Sequence, residues 1–130
     1  MTDKRHESAF RMREDFYEMA LKRSKKSDCL YKHCAVIVKK NRIISIGHNR
    51  RASPMMKREG QHTIHAEHDA IRRAKEDLRG ASMYIMRFNK HGNARLSKPC
   101  VRCIRRIYRS GITKVYYSVS SDGELIWCEL

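Results

Sequence analysis

Two short segments carry residue types that do chemistry together: His65-Ala66-Glu67 and Pro99-Cys100-Val101-Arg102-Cys103. A Cys-x-x-Cys pair at a helix start puts both sulfurs on one side, because residues three apart are neighbours on a helix. The exposed N–H groups and dipole of a helix N-terminus also favour thiolates. Two thiolates and an imidazole form a three-ligand set for zinc. The fourth tetrahedral position stays free for water, which marks a catalytic site. Zinc lowers the pKa of such a water to roughly 7 in favourable cases. Glu67 lies two residues past His65 and is available as the acid–base group. Each segment alone is a weak signal. Both in this order, 35 positions apart with one strand between them, form a specific one. The alternative is a closed structural zinc site with His62 or His68 as fourth ligand. It leaves Glu67 and the helix-start placement of both halves unused.

These side chains need elements to hold them. Phe10, Phe16, Tyr17, Ala20 and Leu21 recur at helical spacing, and the segment ends on basic residues, so a helix is predicted over about 7–26. Cys34–Val38 is a short apolar run rich in β-branched residues. Lys39–Arg42 turn the chain into Ile43–Ile46, which reads as the second strand of a hairpin. Residues 49–64 read as a polar, basic loop. From His65 the pattern is helical again, with Ala66, Ala70, Ile71, Ala74 and Leu78 on one face and Gly80 placed as the stop. Met83–Met86 is a third strand. Pro99 sits at a helix start, where a missing N–H costs nothing, and that helix runs to about Ser110. Lys114–Val119 is a fourth strand. Only Ser120–Gly123 separate it from the next apolar run, too few for a parallel crossover, so a fifth strand over Leu125–Cys128 is expected to run antiparallel through an Asp122-Gly123 turn. The reading is an α/β chain: a single domain over 1–130, a mixed sheet of about five strands, and three main helices.

The two segments, with the order of elements from about Cys34 to Val119, resemble the cytidine and deoxycytidylate deaminase superfamily. That group includes nucleotide deaminases, tRNA adenosine deaminases and polynucleotide cytidine deaminases. The resemblance implies a three-layer sandwich with helices on both faces of the sheet. It implies Zn2+ as cofactor, held by His65, Cys100 and Cys103. It implies that Glu67 takes a proton from the zinc-held water, passes it to the ring nitrogen beside the attacked carbon, and then helps ammonia leave. Ala66 is small, as a backbone lying close to the base requires. Asn49 matches an Asn that contacts substrate in many relatives. Relatives are commonly homo-oligomers.

The substrate is less legible. Free cytosine nucleotides or nucleosides (dCMP or CMP) are the first expectation. A cytosine or adenine inside RNA or single-stranded DNA is the second and another amino-heterocycle the third, with a non-enzymatic zinc-containing nucleic-acid-binding module as the reading from a different class. Arg50, Arg51, Lys57 and Arg58 follow Asn49, and Arg50 and Arg51 are candidates to hold a phosphate. Arg102, Arg105, Arg106 and Arg109 fall along one helix face, either a stripe that follows a nucleic-acid backbone or the solvent side of the helix. Tyr84, Tyr108, Tyr116, Tyr117 and Phe88 read mainly as core. His48, His62 and His68 flank the site and are further candidates to touch substrate. Residues 49–64 contain no Cys and one His, so the extra zinc-binding insertion of many deoxycytidylate deaminases is missing. The short antiparallel tail is nearer to small cytidine deaminases, which usually place Cys where this chain has His65.

The bulk properties agree. Lys and Arg number 29 against 14 acids, a net charge of +15 over 130 residues, which favours phosphate-bearing partners. Five cysteines, an odd number with no secretion signal before them, point to metal or catalytic use rather than disulfides. No apolar run reaches the roughly 18–20 residues of a membrane span, and the mixed-charge N-terminus reads as that of an intracellular, cytoplasmic protein.

Overall fold

In the computed structural model the described residues are 4–5, 14–58, 60, 63–119 and 126–130. In chain order the elements are β1 (Lys4–Arg5), α1 (Glu14–Ser24), β2 (Lys32–Lys39), β3 (Arg42–His48), β4 (Arg50–Arg51), α2 (Pro54–Arg58) and β5 (Thr63–Ile64). There follow α3 (Ala66–Arg73), β6 (Ser82–Phe88), β7 (Ala94–Arg95), α4 (Val101–Arg109), β8 (Lys114–Val119) and β9 (Ile126–Glu129). The main sheet has the order β1-β9-β8-β6-β2-β3, with β7 on β6, and β4 pairs with β5 apart from it. Among the described residues only β6 and β8 run parallel, linked through α4, as a parallel pair requires. The β9 strand is antiparallel to β8, with Tyr117 opposite Cys128. The expected Asp122-Gly123 turn, His6, His62 and residues 7–13 of the predicted first helix lie outside the described residues.

The sheet is mixed, with five strands of four or more residues, and helices cover both faces. Alternation along β2 makes the layers. Cys34, Val36 and Val38 face α1 together with Tyr84, Met86 and Tyr116. Ala35 and Ile37 face α3 and α4 together with Met83, Ile85, Val115 and Tyr117. The β2–β3 hairpin closes through Lys40 (φ 51°) and Asn41 (φ 61°), with Lys39 paired to Arg42. Two consecutive positive φ values are those of a type I′ turn, whose twist matches the strands it joins.

Three expectations need correction. The first helix ends at Ser24, where the Ser24 hydroxyl donates to the Leu21 carbonyl (2.7 Å), and not at residue 26. The helix after His65 ends at Arg73 rather than near Gly80. Ala74 turns extended (φ −67°, ψ 134°), and Leu78 reaches the core from the irregular segment that follows. Residues 49–64 are not a plain loop, since they hold α2 and the β4–β5 pair.

What matters for the site is how α3 and α4 are fixed. Helix α3 lies directly on β3. A Cβ on Gly47 would stand 2.3 Å from the Ala70 nitrogen and 2.5 Å from the Ala66 carbonyl oxygen, so only glycine admits this approach. Beside it the Ser45 hydroxyl donates to the Ala70 carbonyl (2.6 Å), and the His48 N–H donates to Asp69 Oδ2 (3.1 Å). The start of α4 is tied through Ser97, which is buried. Its hydroxyl donates to the Ile85 carbonyl of β6 (2.8 Å) and accepts the Ser118 N–H of β8 (2.9 Å).

Candidate active site

The two helices bring their starts together. His65 is the N-cap of α3 and Cys100 the N-cap of α4, both in extended conformation and neither using its side chain as a cap. Pro99 stands one residue before that cap. The ligand atoms of His65, Cys100 and Cys103 all lie within 4.8 Å of one another, and His65 Nδ1 is 3.0 Å from Cys103 Sγ. Among the described residues no fourth His or Cys joins the group.

The donor set suits a soft, borderline cation. Cys103 is buried. Burial first, then the Glu67 carboxylate and the Cys100 sulfur, push its thiol well above the ordinary value. Of the three ligands only Cys103 is buried, while His65 and Cys100 are exposed, and two sulfurs beside the buried Glu67 carboxylate are mutually unfavourable as anions until a cation compensates them. Zinc accepts two thiolates and one imidazole in this way, with one position left open.

Beside the group lies a cleft of about 400 Å³, lined in part by His33, Asn49, Thr63, Ala66, Glu67 and Lys98. Ala66 is fully buried and Glu67 is 6% exposed. Among the described residues no Lys or Arg forms an ion pair with Glu67.

Asn49 reaches the cleft, but its amide is already engaged. Its Oδ1 accepts the His33 N–H (2.9 Å) and its Nδ2 donates to the Tyr31 carbonyl (2.7 Å). Asn49 therefore fixes the 31–33 wall. Arg50 does not line the cleft. Its guanidinium is bonded to the buried Asp69, which a carboxylate in that position requires. Arg51 is exposed and spends its N–H on Asp28 (2.8 Å). Lys57 and Arg58 are exposed on α2 and also stand off the cleft. The segment borders the cleft through its two ends, Asn49 and Thr63.

Sequence reasoning missed the 29–33 wall. Cys29, Leu30, Tyr31 and His33 all line the cleft, and Arg87 lies over the Tyr31 ring at 5.1 Å. Burial keeps the His33 imidazole below its ordinary pKa despite the nearby Glu67 carboxylate. A signal was present in the pairing of Cys34 with His48, which sets His33 beside Asn49 once the hairpin register is known. His48 points away from the cleft and accepts a hydrogen bond from Arg23 (2.8 Å). His68 faces α4, with Nδ1 buried and without a hydrogen-bond partner among the described residues. Tyr108, expected in the core, is 42% exposed.

Fold and site together are those of a zinc-binding deaminase domain. Residues 11–119 match the cytidine and deoxycytidylate deaminase zinc-binding region, and the chain belongs to that family. An uncharacterized deaminase from Aliivibrio fischeri is 37% identical over 90 residues, covering 63% of this chain and 54% of its own length. The chain thus spans about half the length of that curated relative. Among solved structures, the dCMP deaminase of cyanophage S-TIM5 in complex with dCMP and dUMP is similar at 25% identity (80% of this chain, 78% of that chain, TM-score 0.58). A Thermotoga maritima diaminohydroxyphosphoribosylaminopyrimidine deaminase/reductase is similar at 27% identity (84% of this chain, 31% of that chain, TM-score 0.53). A Mycobacterium tuberculosis cytidine deaminase shares the fold, with 16% identity, 84% of each chain covered and a TM-score of 0.53. No helix among the described residues is long and apolar enough to cross a membrane.

Proposed function

We propose that this chain is a zinc-dependent hydrolytic deaminase of the cytosine base of a free nucleotide or nucleoside, releasing ammonia and leaving uracil. One observation carries the reading: His65, Cys100 and Cys103 converge at two helix starts, beside the buried carboxylate of Glu67 and at the edge of a base-sized cleft. The relative crystallised with dCMP and dUMP supports a cytosine nucleotide as substrate class.

His65, Cys100 and Cys103 would hold the zinc, which would supply an acidified water as nucleophile. Glu67 accepts a proton from the attacking water, delivers it to the ring nitrogen beside the attacked carbon, and assists the departure of ammonia. Ala66 leaves room for the base against the backbone. Asn49 holds the 31–33 wall that closes the cleft from the other side. His33 lies on that wall, its pKa lowered by burial, and offers a hydrogen-bonding ring to the base.

The test is ammonia release from dCMP, CMP, deoxycytidine and cytidine by protein carrying one zinc per chain. Turnover of at least one is expected. Fully zinc-loaded protein inert on all four would overturn the reading.

A further inference from the structure

We propose that the outer face of α4 binds the phosphate backbone of a nucleic acid, at a surface separate from the cleft. Cys103 and Ile107 turn inward from α4, so Arg102, Arg105, Arg106 and Arg109 point outward and are exposed. With Val101 they line a shallow groove of about 460 Å³. At 1.5 Å of rise per residue the four guanidiniums span about 10 Å, the length of several phosphates along a strand.

These arginines differ from others in the chain. Arg42 pairs with Glu76, Arg73 with Asp69 and Arg79 with Asp77. Among the described residues none of the four guanidiniums on α4 is in an ion pair or hydrogen bond. The basic surface continues onto α3, where exposed Arg72 acts with Arg106 on the imidazole of His68. Crowded, uncompensated guanidiniums repel one another, and a polyanion removes that cost.

Two observations select a nucleic acid. The whole chain carries a net charge of +15, so its far field draws an extended polyanion more strongly than a short acidic segment. Tyr108 is exposed on the same helix among the arginines, which supplies a ring for base stacking. A second copy of the chain is a poor occupant. A two-fold contact through α4 would set these arginines against their equivalents.

The experiment is fluorescence anisotropy of the full zinc-loaded chain with labelled 20-nucleotide single-stranded DNA, single-stranded RNA and duplex DNA, over a series of salt concentrations. Wild-type protein should bind at least one of them with a steep salt dependence. Arg105→Gln/Arg109→Gln should weaken binding about tenfold or more and reduce the slope of log K against log salt by about 1.5. Lys25→Gln/Lys26→Gln, an equal loss of charge on exposed residues after α1, should change affinity less than about threefold. Zinc content and melting temperature confirm that each variant is folded. Glu67→Gln should bind as wild type does, so this result stands apart from the deaminase reading. Absence of salt-dependent binding by wild type would overturn the proposal. So would equal losses in the two double variants, or a preference for poly-glutamate over every nucleic acid.

Discussion

Glu67 and Asp69 occupy the same first turn of α3, and both are buried (6% and 1% exposed). Residues two apart on a helix point to different sides, and the two carboxylates meet opposite treatment. Asp69 faces β3 and accepts from Arg50, from Arg73 Nε (2.9 Å) and from the His48 N–H. Burial alone would push its carboxyl up, but these donors outweigh it and hold the group below the ordinary carboxylate range. Glu67 faces the cleft and the metal group, with no basic side chain in an ion pair among the described residues. One carboxylate is saturated and anchors the helix. Its neighbour is left free of cations, as the proposed acid–base role of Glu67 requires.

The largest effect is expected at Glu67. Glu67→Gln should lower kcat by about 10³-fold or more, with zinc content and melting temperature unchanged; steady-state rates on dCMP and metal analysis decide it. Asp69→Asn should do the reverse. It should reduce unfolding free energy by about 2–3 kcal/mol in urea melts, while the folded fraction keeps zinc and turnover. A stable but inactive Asp69→Asn would erase the distinction.

Gly47→Ala probes both halves together. The new methyl would meet the α3 backbone rather than a flexible side chain. A stability loss of about 1–3 kcal/mol is expected, along with weaker zinc retention because His65 and Glu67 move with the helix.

Acid should act on the anchor side. The folded value of Asp69 is depressed, so its contribution is fully present above about pH 4 and is lost as pH falls through the lower folded value. His48 is also lowered on folding, by burial first and then by Arg23. Its contribution is therefore complete above about pH 6.5 and declines below that. Urea melts from pH 8 to 3 should show a shallow loss beginning near pH 6.5 and a steeper one near pH 4. Asp69→Asn should reduce the steeper stage and His48→Asn the shallower. The smallest effect is expected at Arg42→Ala, which removes an exposed pair with Glu76 and should leave both stability and turnover within error of wild type.

Much of the reactive side was legible in the residues, because ligand spacing and helix starts are local. His65, Glu67, Cys100 and Cys103 are each placed by a few neighbours in sequence. The antiparallel β9 was also legible, since too few residues separate it from β8 for a crossover. The anchor side was not. That Arg50 serves Asp69, and that Asn49 spends its amide on residues 31 and 33, depends on pairings 16 to 19 residues apart. Such pairings leave no periodic trace. The early end of α3 was hidden for a similar reason. Leu78 keeps the apolar spacing of a helix, yet enters the core from an irregular segment. Tyr108 has a side chain that usually buries, and its neighbours on α4 instead leave it at the surface.

In the proposed deaminase, turnover depends on a zinc ion held by His65, Cys100 and Cys103. The direct measurement is ammonia release from dCMP by one preparation before chelation, after complete removal of metal, and after return of one equivalent of zinc per chain. Turnover should be lost with the metal and recovered with zinc. Turnover that persists in fully metal-free protein would contradict that dependence.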